Sequence, residues 1–120
     1  MPDKLTAQEE QAMRAAWKAG EANVKTILEH LAPPVPPYTT LASTLKNLEK
    51  KGWLRSRPVG NMNLYSAAIK EADYTSQSIT SMVRLHFDNS YKALVASFVE
   101  HQKISPKELK EIIALIEKKK

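Results

Sequence analysis

The 120-residue chain contains no cysteine. That excludes a disulfide framework, a thiol nucleophile and any thiolate metal site, and it fits a reducing cytosol. Glycine is nearly as scarce, with three residues, and none forms a phosphate-cradling loop. No local motif assembles a nucleophile, a base and an orienting group. His30, His86 and His101 stand alone, without a second ligand at helical or hairpin spacing, so neither a metal site nor a cofactor is expected. No apolar run approaches membrane-spanning length, and the opening MPDKLTAQEE lacks the apolar centre of a signal peptide. These absences predict a non-enzymatic, soluble, cytoplasmic protein with no membrane insertion.

Acid is locally scarce too. The formal net charge is +5, and from Tyr38 to Asn63 five lysines or arginines face the single acid Glu49. A basic balance of this kind favours an acidic partner such as nucleic acid.

Thr6 followed by Glu9 is a capping-box signature and opens a first helix over Thr6 to Lys18, stopped by Gly20. Val24, Ile27, Leu28 and Leu31 repeat at the spacing of a second amphipathic helix. The segment APPVPP ends it, because proline lacks the amide proton a helix needs. A third helix is predicted from about Thr39 to Lys51, with Leu41, Leu45 and Leu48 as its buried stripe and Gly52 as a left-handed cap. Two short strands follow, Trp53 to Pro58 and Asn63 to Ala67, turning at Gly60-Asn61. Alternation in the first strand sends Arg55 and Arg57 to one face. Helix, helix, helix and β-hairpin is the order of a winged helix-turn-helix, whose third helix enters the DNA major groove.

The fold class predicted is therefore mainly α with a small β-hairpin: a winged helix-turn-helix over residues 1–70, then a helical dimerisation region over 71–120. In the second part Ile79, Val83 and Phe87, then Leu94, Val95 and Phe98, then Ile112, Ile113 and Ile116 form apolar stripes too extensive for so short a segment to bury alone. A homodimer is the simplest way to cover them. Small polar residues at the front of a recognition helix approach bases or phosphates closely, which selects Thr39, Thr40, Ser43, Lys46 and Asn47. Lys50, Lys51, Arg55 and Arg57 are assigned to backbone phosphate, with Asn61 and Asn63 at the wing tip. RNA recognition would bring exposed sheet aromatics or a glycine-rich clamp, and neither is present. The competing reading is a winged-helix interaction module whose basic face binds an acidic protein partner.

Four stretches carry a more specific signal: LTAQEEQAMRAAWKAG, TTLASTLKNLEKKGWL, GNMNLYSA and LVASFVEHQKISPKELKEIIALIEK. They resemble the BlaI/MecI penicillinase-repressor family of bacterial transcription factors over nearly the whole chain. The resemblance implies a homodimeric repressor that binds a double-stranded operator with dyad symmetry. It further implies a membrane-bound sensor metalloprotease as partner and release by cleavage in the dimerisation region, in response to an antibiotic or cell-wall signal. The family's cut precedes the phenylalanine of a segment like SFVE, which maps to Ser97-Phe98.

Overall fold

A computed structural model describes residues 4–119, in the order α1 (Ala7–Ala19), α2 (Val24–Glu29), α3 (Tyr38–Lys50), β1 (Leu54–Val59), β2 (Met62–Ala67), α4 (Glu71–Phe87), α5 (Tyr91–Glu100) and α6 (Pro106–Lys118). It divides into two compact units, Met1–Thr75 and Ser76–Lys120.

In the first unit the helix starts follow their sequence signals. Thr6 Oγ accepts the Glu9 amide at 3.1 Å while the Glu9 carboxylate accepts the Thr6 amide at 2.9 Å, closing the capping box of α1. Asn23 caps α2 by accepting the Thr26 amide at 2.9 Å. At the end of α3 the Trp53 amide donates to the Leu48 carbonyl at 2.9 Å and the Gly52 amide to the Glu49 carbonyl at 3.1 Å. This is a Schellman motif, and Gly52 supplies its left-handed residue at φ 88°.

Leu41, Leu45 and Leu48 are fully buried against Met13, Ala16, Ile27, Trp53, Leu54 and Tyr65. The core thus fixes α3 from one side and leaves its opposite side to solvent. Strand β1 pairs antiparallel with β2 from Leu54↔Ala67 to Val59↔Met62. Gly60 (φ 60°) and Asn61 form the two-residue turn. Positive φ at the first turn position alone is the type II′ pattern, which matches strand twist. Ala22 and Tyr65 exchange backbone hydrogen bonds at 3.0 and 2.8 Å, so the segment before α2 adds a one-residue third strand beside β2. Three helices with this small sheet form a winged helix-turn-helix.

The first turn of α4 belongs to the same unit. Tyr74 packs on Trp17 and Trp53, with ring centroids 5.5 and 5.4 Å away, and its hydroxyl donates to Glu10. Trp17 Nε1–H in turn donates to the Ile69 carbonyl at 2.9 Å. Compactness therefore changes at residues 75 and 76, inside α4, whereas the sequence reading drew its line between residues 70 and 71.

The second unit holds the rest of α4 with α5 and α6. Ser90 caps α5 through the Ala93 amide at 3.0 Å. Ser105 and Glu108 close a second capping box, with Pro106 in the first turn of α6. Among its described residues Val83 alone joins the buried apolar set. Ile79, Val95, Phe98, Ile112, Ile113 and Ile116 are exposed, and Phe87 and Leu94 are half-buried. Val83 stands apart from the predicted dimerisation residues, because at 1% exposure its own chain already covers it. No helix among the described residues is long and apolar enough to cross a membrane.

Candidate nucleic-acid interface

Burial of the leucine stripe determines what α3 presents outward. Thr39, Ser43, Lys46, Asn47 and Lys50 are all exposed, and their spacing of three and four residues aligns them along one face. Thr40 is half-buried, and its carbonyl accepts the Thr44 hydroxyl at 3.0 Å. No side chain caps the start of α3, where Pro37 is the N-cap. The first amides of the helix therefore keep their partial positive charge beside Thr39 and Thr40, an arrangement favourable to an anion.

The hairpin register sorts the wing residues by face. Arg55, Arg57 and Val59 lie opposite Ser66, Leu64 and Met62, on the side away from the core. Leu54 and Tyr65 occupy the other face and are buried. Asn63 pairs with Pro58 on that second face, at the exposed end of the hairpin. The two wing-tip asparagines are both exposed, but Asn63 does not share the arginine face.

Two of the predicted phosphate ligands are engaged within the chain. Lys51 Nζ lies 2.7 Å from the Glu9 carboxylate, whose side chain is only 10% exposed. The Lys51 hydrogen bond, reinforced by the Thr6 amide, holds the Glu9 carboxyl below the usual carboxylate range. Lys51 therefore closes the junction of α1 with the end of α3, in addition to carrying charge. Arg57 forms a bidentate pair with Glu21, Nε to Oε2 at 2.8 Å and Nη2 to Oε1 at 2.6 Å. Hydrogen bonding to Arg57 lowers the Glu21 carboxyl pKa, and the same bond raises that of the guanidinium. Lys46, Lys50 and Arg55 make no ion pair among the described residues, so they carry the unneutralised charge of the surface.

Glu49, the one acid inside the basic stretch, accepts a hydrogen bond from Ser56 at 2.6 Å and so ties α3 to β1. Burial first, then the nearby Glu49 charge, pushes the Tyr65 hydroxyl up and keeps it protonated. Glu9 and Glu21 were missed as members of this surface by sequence reasoning. They lie 42 and 36 residues from their partners, and no periodicity links them.

Ser97 and Phe98 sit inside α5. The Ser97 carbonyl accepts both the His101 amide at 3.1 Å and the His101 Nδ1–H at 2.8 Å. The Lys103 amide donates to Phe98 and the Gln102 amide to Val99, which makes another Schellman motif, here with Gln102 in the left-handed position at φ 56°. The peptide bond between Ser97 and Phe98 is thus helical and one turn from a strained helix end.

Comparison with known proteins gives three findings. The family model described as penicillinase repressor matches residues 5–118. The penicillinase repressor of Bacillus licheniformis is 24% identical over 118 residues, which span 98% of this chain and 92% of that protein. The methicillin resistance regulatory protein MecI of Staphylococcus aureus (strain N315) is 20% identical over 117 residues, spanning 97% and 95%. Among solved structures, the monomeric form of Bacillus licheniformis BlaI in complex with the blaP half-operator is 25% identical, with a TM-score of 0.52. The match covers 62% of this chain and 92% of that one.

Proposed function

We propose that this chain, which belongs to the penicillinase repressor family, is a transcriptional repressor that binds a dyad-symmetric DNA operator as a homodimer. It is a DNA-binding protein and not an enzyme. The observation that carries this reading is the exposed, acid-free strip of Thr39, Ser43, Lys46, Asn47 and Lys50 on α3, next to a basic hairpin. A helix whose other face is pinned by buried leucines presents such a strip rigidly, as major-groove recognition requires. Thr39, Ser43 and Asn47 approach base edges, Lys46 and Lys50 adjacent phosphates, and Arg55 the backbone along the wing.

The exposed isoleucines, valine and phenylalanine of α4, α5 and α6 support dimerisation, since a single copy leaves them in water. Release follows cleavage at Ser97-Phe98 by a membrane sensor metalloprotease, and the repressor works where the DNA is, in the cytoplasm. Because proteases bind extended substrates, the end of α5 must open before the cut.

Fluorescence anisotropy with duplex DNA from the chain's own upstream region, titrated with salt, tests the reading. Lys46→Ala is expected to weaken binding to all sequences and to reduce the salt slope by about 0.9. Asn47→Ala is expected to reduce discrimination between operator and scrambled duplex by about 10-fold, the scale of one good base contact. Binding that is insensitive to salt, or that an acidic polypeptide matches in affinity, refutes DNA recognition in favour of an acidic protein partner.

A further inference from the structure

We propose that Glu21 is an affinity-setting residue of the DNA interface, holding Arg57 in an internal ion pair that operator phosphate has to displace. This rests on the DNA-binding reading above. Both oxygens of Glu21 face the Nε and Nη2 edge of Arg57, at 2.8 and 2.6 Å. A phosphate takes a guanidinium through the same two-pronged geometry. Carboxylate and phosphate therefore compete for one set of donors and do not share them.

The carboxylate is placed there by backbone. Gly20 turns the chain out of α1 at φ 72°, and Ala22 is then bonded in both directions to Tyr65 of β2. Glu21, between them, is fixed alongside the hairpin on the face that carries Arg57. The pair is also accessible, with side chains 62% and 38% exposed for Arg57 and Glu21. An incoming phosphate can reach it without disturbing the core. Arg55 provides an internal control, lying on the same strand face two residues away with no acid paired to it.

Ion release gives the pair a distinctive signature. A free arginine that meets phosphate releases about 0.9 of a condensed cation. When Arg57 leaves Glu21, the freed carboxylate attracts a cation of its own and stands as a repelling charge beside the DNA backbone. The Arg57 contribution to affinity and to salt slope is then largely cancelled in the wild-type chain. Arg55 keeps its full contribution.

The experiment measures binding of the full-length wild type, Glu21→Gln, Arg57→Ala and the double variant to upstream and scrambled duplexes across a salt series. Unchanged thermal midpoints verify folding, and Glu21→Ala provides a second route to the same loss of charge. Glu21→Gln is expected to tighten binding to both duplexes about equally, roughly 3- to 10-fold at low salt, and to steepen the slope by about 0.9. Arg57→Ala is expected to cost less than about 2-fold in the wild type, and to abolish the gain when combined with Glu21→Gln. Arg55→Ala is expected to weaken both backgrounds alike. If the wild type binds the duplex while Glu21→Gln leaves affinity unchanged or weakens it, the inference fails and the DNA-binding reading survives. If none of the proteins binds either duplex, both fail together.

Discussion

Replacing Lys51 by methionine separates two roles that its charge could serve. In the structure its ammonium lies 2.7 Å from Glu9 Oε1, the atom that also accepts the Thr6 amide at 2.9 Å. The side chains are 29% and 10% exposed. Pairs wholly in water contribute about 0–1 kcal/mol, whereas breaking a fully buried pair costs about 3–5 kcal/mol. This junction lies between those limits, so Lys51→Met should lower stability by about 2 kcal/mol at neutral pH. For a unit of this size, that corresponds to a fall in thermal midpoint of roughly 8–16 °C.

Circular dichroism melts at one fixed protomer concentration are the appropriate assay, because a dimer's midpoint varies with concentration. The pH dependence gives a second check. The folded-state Glu9 carboxyl is lowered from its ordinary 4.5, chiefly by the Lys51 hydrogen bond. Its stabilisation is therefore fully present above pH 4.5 and is lost as the pH falls through the lower, folded value. The gap between wild type and Lys51→Met should accordingly narrow in acid. A variant that melts within about 1 °C of wild type at pH 7, while losing as much DNA affinity as Lys50→Ala, would overturn this assignment. Lys51 would then act as a phosphate ligand and not as a structural one.

The C-terminal unit yields two contrasts. Val83→Ala removes two carbons from a buried site and is expected to cost the protomer about 2 kcal/mol in chemical denaturation. The paired change Ile113→Asp and Ile116→Asp alters residues that the single chain exposes, so it should preserve helical content yet give a monomer by sedimentation at micromolar concentration. A dimer that persists places the interface elsewhere. Gln102→Gly relieves a left-handed non-glycine residue and should stabilise the end of α5 by about 0.5–1 kcal/mol. Fragmentation at Ser97-Phe98 should then slow in cells containing the cognate sensor, and faster fragmentation contradicts the requirement for helix opening.

What was legible in the sequence was local. Thr6 with Glu9 and Ser105 with Glu108 each satisfy amides three residues away, so the residues that signal the helix start are also those that make it. Gly52 announces the end of α3 for the same reason, since a left-handed residue closes hydrogen bonds only to the turn before it. Tyr74 was different. Its position in an apparently separate helix gave no sign that its ring would pack on Trp17 and Trp53, and that packing carries the first turn of α4 into the N-terminal unit. The bridge between Ala22 and Tyr65 leaves no pattern either, because one residue of strand has no period.

Charge was the least legible property, and its correction changes how the surface is understood. Counting residues from Tyr38 to Asn63 set five cations against Glu49, as if neutralisation followed sequence. Coulomb energy depends on distance in space, and folding brings Glu9 to Lys51 and Glu21 to Arg57. The cations that reach solvent without a paired acid are then Lys46 and Lys50 on α3 and Arg55 on β1. Glu49, the apparent counter-charge, is engaged instead by the Ser56 hydroxyl. A surface built this way binds DNA through fewer free charges than its sequence suggests, and it keeps two acids at positions where losing either would alter affinity in opposite directions. Removing Glu9 loosens the helix end that carries Lys50, whereas removing Glu21 frees a further arginine.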